Sequence, residues 1–82
     1  MRDLLNRVIL TKIEAEGRLV TAKPVIRGTR IAVEQIVREL ATGMTATEVA
    51  SKVGLTIDDI RAACAYAAAR LAEERIELAV EQ

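Results

Sequence analysis

The stretch that decides the fold is residues 45–60, which read TATEVASKVGLTIDDI. It opens with a capping box, because the Thr45 hydroxyl can accept a hydrogen bond from the Glu48 amide while the Glu48 carboxylate reaches back to Thr45. Gly54 then ends a short helix, and Thr56 caps the next one. Two helices joined by so tight a turn predict a helix-turn-helix.

The spacing of small and apolar residues around this turn favours the same motif. Ala50 lies where the two helices would approach each other, and Ile60 and Ala63 would pack back onto the first helix. Any helical corner that turns at a glycine would show similar spacing, so that alternative stays open.

A further helix precedes this pair. Val33, Ile36, Val37 and Leu40 recur at i, i+3, i+4 and i+7, which is the apolar face of an amphipathic helix. Gly43 is placed to end that helix in the C′ position.

The first thirty residues are typical of extended structure. Val8–Glu14 is rich in β-branched residues and predicts a strand, Glu16-Gly17 a turn, and Arg18–Thr21 a short return strand. Pro24–Ile26 is at most an extended edge segment, because proline cannot donate to a ladder. Gly28 predicts a turn with positive φ.

The last predicted helix is longer than a three-helix core can cover. No proline or glycine interrupts residues 57–80, which would give a helix of about 36 Å. Its predicted inward stripe is Ile60, Cys64, Ala67 and Leu71. Beyond the stripe, the apolar side chains left uncovered are Ile76, Leu78 and Val80. We expect these three to form a partner interface, with a frayed tail as the alternative.

These patterns predict a mainly α (α+β) fold. An N-terminal β-hairpin or arm, residues 1–30, is followed by a helical helix-turn-helix domain, residues 31–82, in one folding unit. The core has three helices, the last of them extended. So short a chain, with Tyr66 as its one aromatic residue, has a thin core, and a homodimer is expected.

Composition argues against several classes of function. The chain has no histidine and one cysteine, Cys64, so disulfide scaffolds, Cys/His zinc sites and histidine-dependent catalysis are not expected. Neither a catalytic site, a bound metal nor a cofactor is predicted, and an enzyme is improbable. No stretch resembles a membrane span or a signal-peptide core, so a cytoplasmic protein is expected.

Charge is balanced overall but not along the chain. Residues 1–30 carry seven basic and three acidic side chains, a net of +4, whereas residues 31–82 carry five and nine, a net of −4. A basic arm on an acidic body can contact phosphate or an acidic partner, although an uneven solvated surface is also reasonable.

If the helix-turn-helix binds DNA, its second helix would enter the major groove. The predicted DNA-contacting residues are Lys52, Thr56, Arg61, Arg27 and Arg30.

The remaining groove-facing residues are unfavourable for DNA. Ile57, Ala62 and Ala65 offer apolar contact only, and Asp58 and Asp59 would face phosphates with like charge. DNA affinity would then depend on the basic arm or on a dimer.

Residues 23–33, KPVIRGTRIAV, resemble the signature of the family of uncharacterised domains numbered 433. The resemblance continues through residues 43–45 and 55–60 to the alanine-rich helix. Ala32 replaces the usual proline, and residues 52–54 replace a common aromatic-proline step. The family is similar to VapB-type antitoxins with a homeodomain-like helix-turn-helix. The resemblance implies a protein that binds and silences a PIN-like ribonuclease toxin, and that regulates its own operon.

For Arg30, two roles stay open. It could contact DNA phosphate or the acidic site of a ribonuclease partner, alongside Ile76, Leu78 and Val80, or it could clamp Glu34 or Asp59 within the chain. Alternatives to the antitoxin are a stand-alone DNA-binding regulator and a structural dimerisation module.

Overall fold

A computed structural model of the chain describes residues 2–15 and 18–74. Within them, a short helix and a β-hairpin precede three longer helices. The elements are α1 (Arg2–Leu5), β1 (Val8–Ala15), β2 (Arg18–Ile26), α2 (Val33–Ala41), α3 (Ala46–Val53) and α4 (Ile57–Glu73). The fold is mainly α with a small β part, as the sequence predicts. The turn predicted at residues 16–17 lies outside the described residues.

The hairpin is antiparallel, and β2 is longer than predicted because it continues through Pro24 to Ile26. The Ile26 amide donates to the Ile31 carbonyl at 3.0 Å, away from β1. Pro24, two residues earlier, therefore has its nitrogen on the same outer edge, and the proline costs the hairpin no ladder hydrogen bond.

The predicted turn at Gly28 is confirmed and has φ +79°. Thr29 closes this turn, since its hydroxyl donates to the Ile26 carbonyl at 2.8 Å and accepts from the Ile31 amide at 3.0 Å. The chain then forms a bridge between Ala32 and Val25 and enters α2. The turn is thus held on both sides by hydrogen bonds.

Helix α2 is confirmed at its predicted position. It ends with Thr42 as C-cap, and Gly43 follows in the C′ position with φ +103°. Val33 and Ile36 are buried, but Val37 is 36% exposed. The predicted apolar face is therefore correct at its centre and too wide at Val37.

Both N-caps of the predicted helix pair are confirmed. The Thr45 hydroxyl accepts from the Glu48 amide at 3.1 Å, and the Thr45 amide donates to the Glu48 carboxylate at 2.9 Å. Gly54 ends α3 in the left-handed conformation, at φ +73°. Thr56 begins α4 with a second capping box, whose acidic member is Asp59.

The core lies where the base of the hairpin meets α2, α3 and α4. Its buried residues are Ile26, Val33, Ile36, Val49, Ala50, Ile60 and Ala63. Ile60 and Ala63 pack with Val49 and Ala50 across the Gly54 turn, as the sequence predicts. The two helices are thereby fixed against each other by side chains from both.

The prediction of an unbroken helix through residues 57–80 is wrong. Helix α4 ends at Glu73, and Glu74 is extended with φ −69° and ψ 134°. Two consecutive acidic residues, Glu73 and Glu74, oppose the negative end of the helix dipole. Leu71 is also 64% exposed, so little packing supports the last turn. The predicted interface residues Ile76, Leu78 and Val80 lie outside the described residues.

The predicted inward stripe of α4 is also partly wrong. Ile60 is buried and Ala67 packs against the core, but Cys64 and Leu71 are exposed. The buried face instead includes Ala62 and Ala63, each with 0% exposure. Alanines occur on all sides of this helix, so apolar character alone does not specify its rotation.

In the part of the chain that the structure describes, no helix combines the length and apolar character that a bilayer crossing requires.

Candidate nucleic-acid interface

The site begins with Arg7, which connects the base of the hairpin to the start of α4. Its Nη1 atom lies 3.1 Å from Asp59 Oδ1, and its Nη2 atom lies 3.8 Å from Asp58 Oδ2. Both carboxylates belong to the first turn of α4. Arg7 could not be predicted as a site residue, because nothing in the sequence near residue 7 indicates a contact with residues 58 and 59.

Arg27 lies beside Arg7. The Arg27 amide donates to the Arg7 carbonyl at 2.6 Å, and its Nε atom donates to the Asn6 carbonyl at 2.9 Å. The two arginines are thus cross-strand neighbours at the end of the hairpin. The Arg27 side chain is exposed, so its remaining guanidinium donors face solvent.

Arg61 joins the same group from the second turn of α4. Its Nη1 atom lies 3.9 Å from Asp58 Oδ1, and its side chain is 68% exposed. Asp58 therefore lies between Arg7 and Arg61. Arg7 and Arg61 thus lie at the first turns of α4, and Arg27 adjoins Arg7. These three form the arginine group at the start of α4, and Arg27 and Arg61 belong to the predicted DNA-contacting set.

The structure corrects the expectation that Asp58 and Asp59 would both face DNA. The Asp59 side chain is only 14% exposed, and its Oδ2 atom accepts from the Thr56 amide at 3.1 Å. Burial raises the pKa of Asp59, but the Thr56 hydrogen bonds and Arg7 outweigh it, and the net pKa is lowered. Asp59 is a structural carboxylate, whereas Asp58 remains 54% exposed.

The two other predicted residues on the helix pair have structural partners. The Thr56 hydroxyl accepts from the Asp59 amide at 3.2 Å as the cap of α4. The Lys52 Nζ atom lies 2.8 Å from Glu39 Oε1 of α2. Lys52 is therefore held towards α2, and no ion pair among the described residues connects it to the arginines.

Arg30 does not clamp the body of the protein as one of its predicted roles required. Lys23 contacts Glu34 instead, at 2.7 Å, and Arg7 contacts Asp59. The expectation that the arm is pinned to acidic helix residues is correct, but the residue proposed for it is wrong. Arg30 is exposed, and among residues 3–11 and 22–74 it forms no ion pair.

The described residues offer this surface rather than an enclosed site. Among them there is no cavity that could hold a small molecule, and no cluster of acidic, cysteine or histidine residues that could hold a metal ion.

Comparison with protein families gives a match to the family described as "Protein of unknown function (DUF433)", over residues 13–67. The chain belongs to this family. The matched DUF433 region includes the last three residues of β1, all of β2, the Gly28 turn, and helices α2 and α3 with most of α4. It contains Arg27, Arg30 and Arg61, but Arg7 precedes it. Comparisons with curated proteins and with solved structures give no match.

Proposed function

We propose that this chain is an antitoxin-like protein that represses its own operon by binding DNA, and that binds and silences a PIN-like ribonuclease toxin. The observation that carries the proposal is the arginine group at the start of α4. Arg7 and Arg61 contact the carboxylates at the helix end that a helix-turn-helix presents to the major groove, and Arg27 is hydrogen-bonded beside Arg7. We further propose that the protein is cytoplasmic and has no enzymatic activity.

Charge at this surface supports the DNA-binding part. Asp59 is nearly buried and paired with Arg7, so Asp58 is the one exposed carboxylate in the first turn of α4. Arg27 and Arg30, at either end of the Gly28 turn, are available to phosphates. Arg61 is the side chain on this face that can contact a guanine through two hydrogen bonds.

The first experiment measures binding to duplex DNA from immediately upstream of the protein's own gene. We expect Arg27→Gln with Arg30→Gln to weaken binding to this duplex and to a scrambled one alike, because phosphate contacts carry no sequence information. The matched control, Arg38→Gln with Arg70→Gln, removes the same charge elsewhere. If the two double variants lose the same amount of affinity for DNA, the proposed site is contradicted.

A second variant separates sequence reading from phosphate binding. We expect Arg61→Ala to reduce the preference for the upstream duplex by about 1–3 kcal/mol. Arg70→Ala, at the far end of α4 with a side chain that is 65% exposed, should leave the preference unchanged. A preference that Arg61→Ala does not alter would remove this residue from the site.

The toxin-binding part is supported by the exposed end of α4. Leu71 is 64% exposed and precedes the apolar residues Ile76, Leu78 and Val80. An exposed apolar helix end typically contacts a partner. We propose that these three residues bind the toxin and that Arg30 contacts its acidic active site, where a ribonuclease holds metal-binding carboxylates.

Ribonuclease inhibition tests this part. The probe is the ribonuclease encoded by the adjacent reading frame, and the readout is cleavage of a labelled RNA. We expect equimolar wild-type chain to stop cleavage, and Ile76→Glu to abolish both inhibition and co-purification. Val37→Glu, at an exposed apolar position on α2, is the control and should inhibit like the wild type. Inhibition by Ile76→Glu would contradict the proposed interface.

The second candidate is a stand-alone DNA-binding regulator. It is favoured by the arginine group, which can account for DNA binding without a second protein. DNA binding without inhibition of any neighbouring ribonuclease would support it. A dimer with neither activity would instead support a structural dimerisation module.

A further inference from the structure

The two edges of the hairpin differ. The Arg27 amide donates to the Arg7 carbonyl, so these two residues form a hydrogen-bonded pair. Val8 and Ile26 are the next pair, and the Ile26 amide points away from β1, to Ile31. Because the pattern alternates in an antiparallel ladder, the even-numbered residues of β1 direct their amides and carbonyls to its outer edge.

The outer edge of β2 is closed to a further strand. At Pro24 it has no amide to offer. Nearer the core, the Val25–Ala32 bridge and the hydrogen bond from Ile26 to Ile31 occupy it. Proline and local cover are the usual means by which proteins block strand pairing. Among the described residues, no backbone hydrogen bond occupies the outer edge of β1 beyond Val8.

The hairpin also extends away from the core. Leu10 is 58% exposed, whereas Val8, on the same face, packs against the core. Beyond Val8, β1 therefore leaves the core, which makes its outer edge available to another strand.

The order of charges along β1 indicates which strand fits. Lys12 and Glu14 are both even-numbered, so both lie at outer-edge positions. If two copies of β1 pair antiparallel about a two-fold axis at Ile13, Lys12 of each copy is opposite Glu14 of the other. The register shift of the hairpin leaves an extra residue, Val20, in β2, so β1 stays regular over these positions.

We propose that β1 pairs antiparallel with β1 of a second copy of this chain, so that two hairpins form one four-stranded sheet. The charge pattern is self-complementary, and two identical antiparallel strands satisfy two-fold symmetry. The two Val8 residues would be ten residue steps apart, about 34 Å, which keeps the helical bodies at opposite ends of the sheet.

This interface goes beyond the proposed function, because it requires neither DNA nor a toxin. It also gives the dimer two arginine groups, one on each helical body, which would double the contacts available to DNA.

Charge reversal tests the pairing. By sedimentation equilibrium we expect the wild type to be a dimer. Lys12→Glu and Glu14→Lys should each raise the dissociation constant of the dimer about tenfold or more, because two side chains of the same charge would then face each other across the interface. An equimolar mixture of the two variants should recover the dimer as a heterodimer. A monomeric wild type, unaffected single variants, or a mixture that does not recover would each overturn the proposal.

A backbone variant gives an independent test. Lys12→Pro removes an outward amide and leaves the hairpin's own hydrogen bonds in place, so we expect it to abolish the dimer. Lys12→Ala is the control, since it keeps the amide and should remain more dimeric than the proline variant. Circular dichroism verifies that the helices are retained. Equal dimerisation of both variants would overturn the proposed edge pairing. If the proline variant is unfolded, the mixture of Lys12→Glu with Glu14→Lys tests the pairing instead.

Discussion

At the residue scale, Asp59 connects the cap of α4 with the base of the hairpin. Its carboxylate accepts from the Thr56 amide at 3.1 Å and from Arg7 at 3.1 Å, with 14% of the side chain exposed. Asp58, the adjacent residue, lies farther from Arg7, at 3.8 Å, and its side chain is 54% exposed. Two aspartates that look equivalent in the sequence therefore have different roles.

The first prediction follows from that difference. We expect Asp59→Ala to lower the free energy of unfolding by about 1 kcal/mol at pH 7, because a capping hydrogen bond and an ion pair are lost. Asp58→Ala should have a smaller effect. Urea unfolding of the two variants measures both, and equal effects would contradict the assignment.

The pH dependence of the same pair gives a second prediction. Because the pKa of Asp59 in the folded protein is lowered from 3.8, its contribution to stability is present above that value and is lost as the pH falls through the lower, folded pKa. We therefore expect the difference between wild type and Asp59→Ala to shrink in urea unfolding at pH 3 and below. A difference that stays constant from pH 7 to that range would contradict it.

A third prediction concerns Cys64, which the structure places on the exposed side of α4. We expect a thiol reagent to label it in the folded protein without denaturant. The matched control carries Ala63→Cys and Cys64→Ser, which moves the thiol one position to a fully buried site. That thiol should react only when the protein opens. If Cys64 in the folded protein does not react with the reagent, its side chain is buried, as the sequence predicts, and the exposed position is contradicted.

At the scale of elements, helix boundaries are set by single residues that cap or turn the chain. Thr45 and Thr56 accept from amides in the first turns of α3 and α4. We expect Thr45→Ala to destabilise the protein by about 1 kcal/mol, whereas Thr47→Ala, at an exposed position inside α3, should change little. Thermal unfolding compares them, and similar losses would show that the cap is not what stabilises α3.

These elements could be predicted because their signals are local. The Thr45 capping box, the turns at Gly28 and Gly54, and the period of α2 each depend on residues a few positions apart. The rotation of α4 could not be predicted, since alanines surround it and Cys64 looks as apolar as Ala63. Its end at Glu73 was missed because no proline or glycine marks it, although two adjacent glutamates do oppose the helix dipole.

The candidate site shows the same division. Arg27 and Arg61 could be singled out from charge and motif, but what connects them is Arg7, which contacts residues 51 and 52 positions later in the chain. Lys52 could be recognised as basic, yet its partner Glu39 belongs to a different helix. Ion pairs between distant segments are determined by the fold, and they cannot be predicted from the periodicity of the sequence.

At the scale of the whole molecule, a few aliphatic side chains hold all the longer elements together. Ile36 has 0% exposure and lies in the cluster that joins the hairpin to the helices. We expect Ile36→Ala to cost about 2–5 kcal/mol, a large share of the stability of so small a domain. Val37→Ala, one position along α2 and 36% exposed, should cost less. Urea unfolding measures both, and comparable costs would contradict this view of the core.

The central claim, that the arginine group at the start of α4 binds DNA together with Arg30, is tested most directly by the salt dependence of binding to the upstream duplex. We expect the wild-type affinity to fall steeply with salt on a double-logarithmic plot. The slope should decrease by about 1 for each of Arg27 and Arg30 replaced by glutamine in each bound chain. Negligible binding at low salt, or a slope that these substitutions leave unchanged, would contradict it.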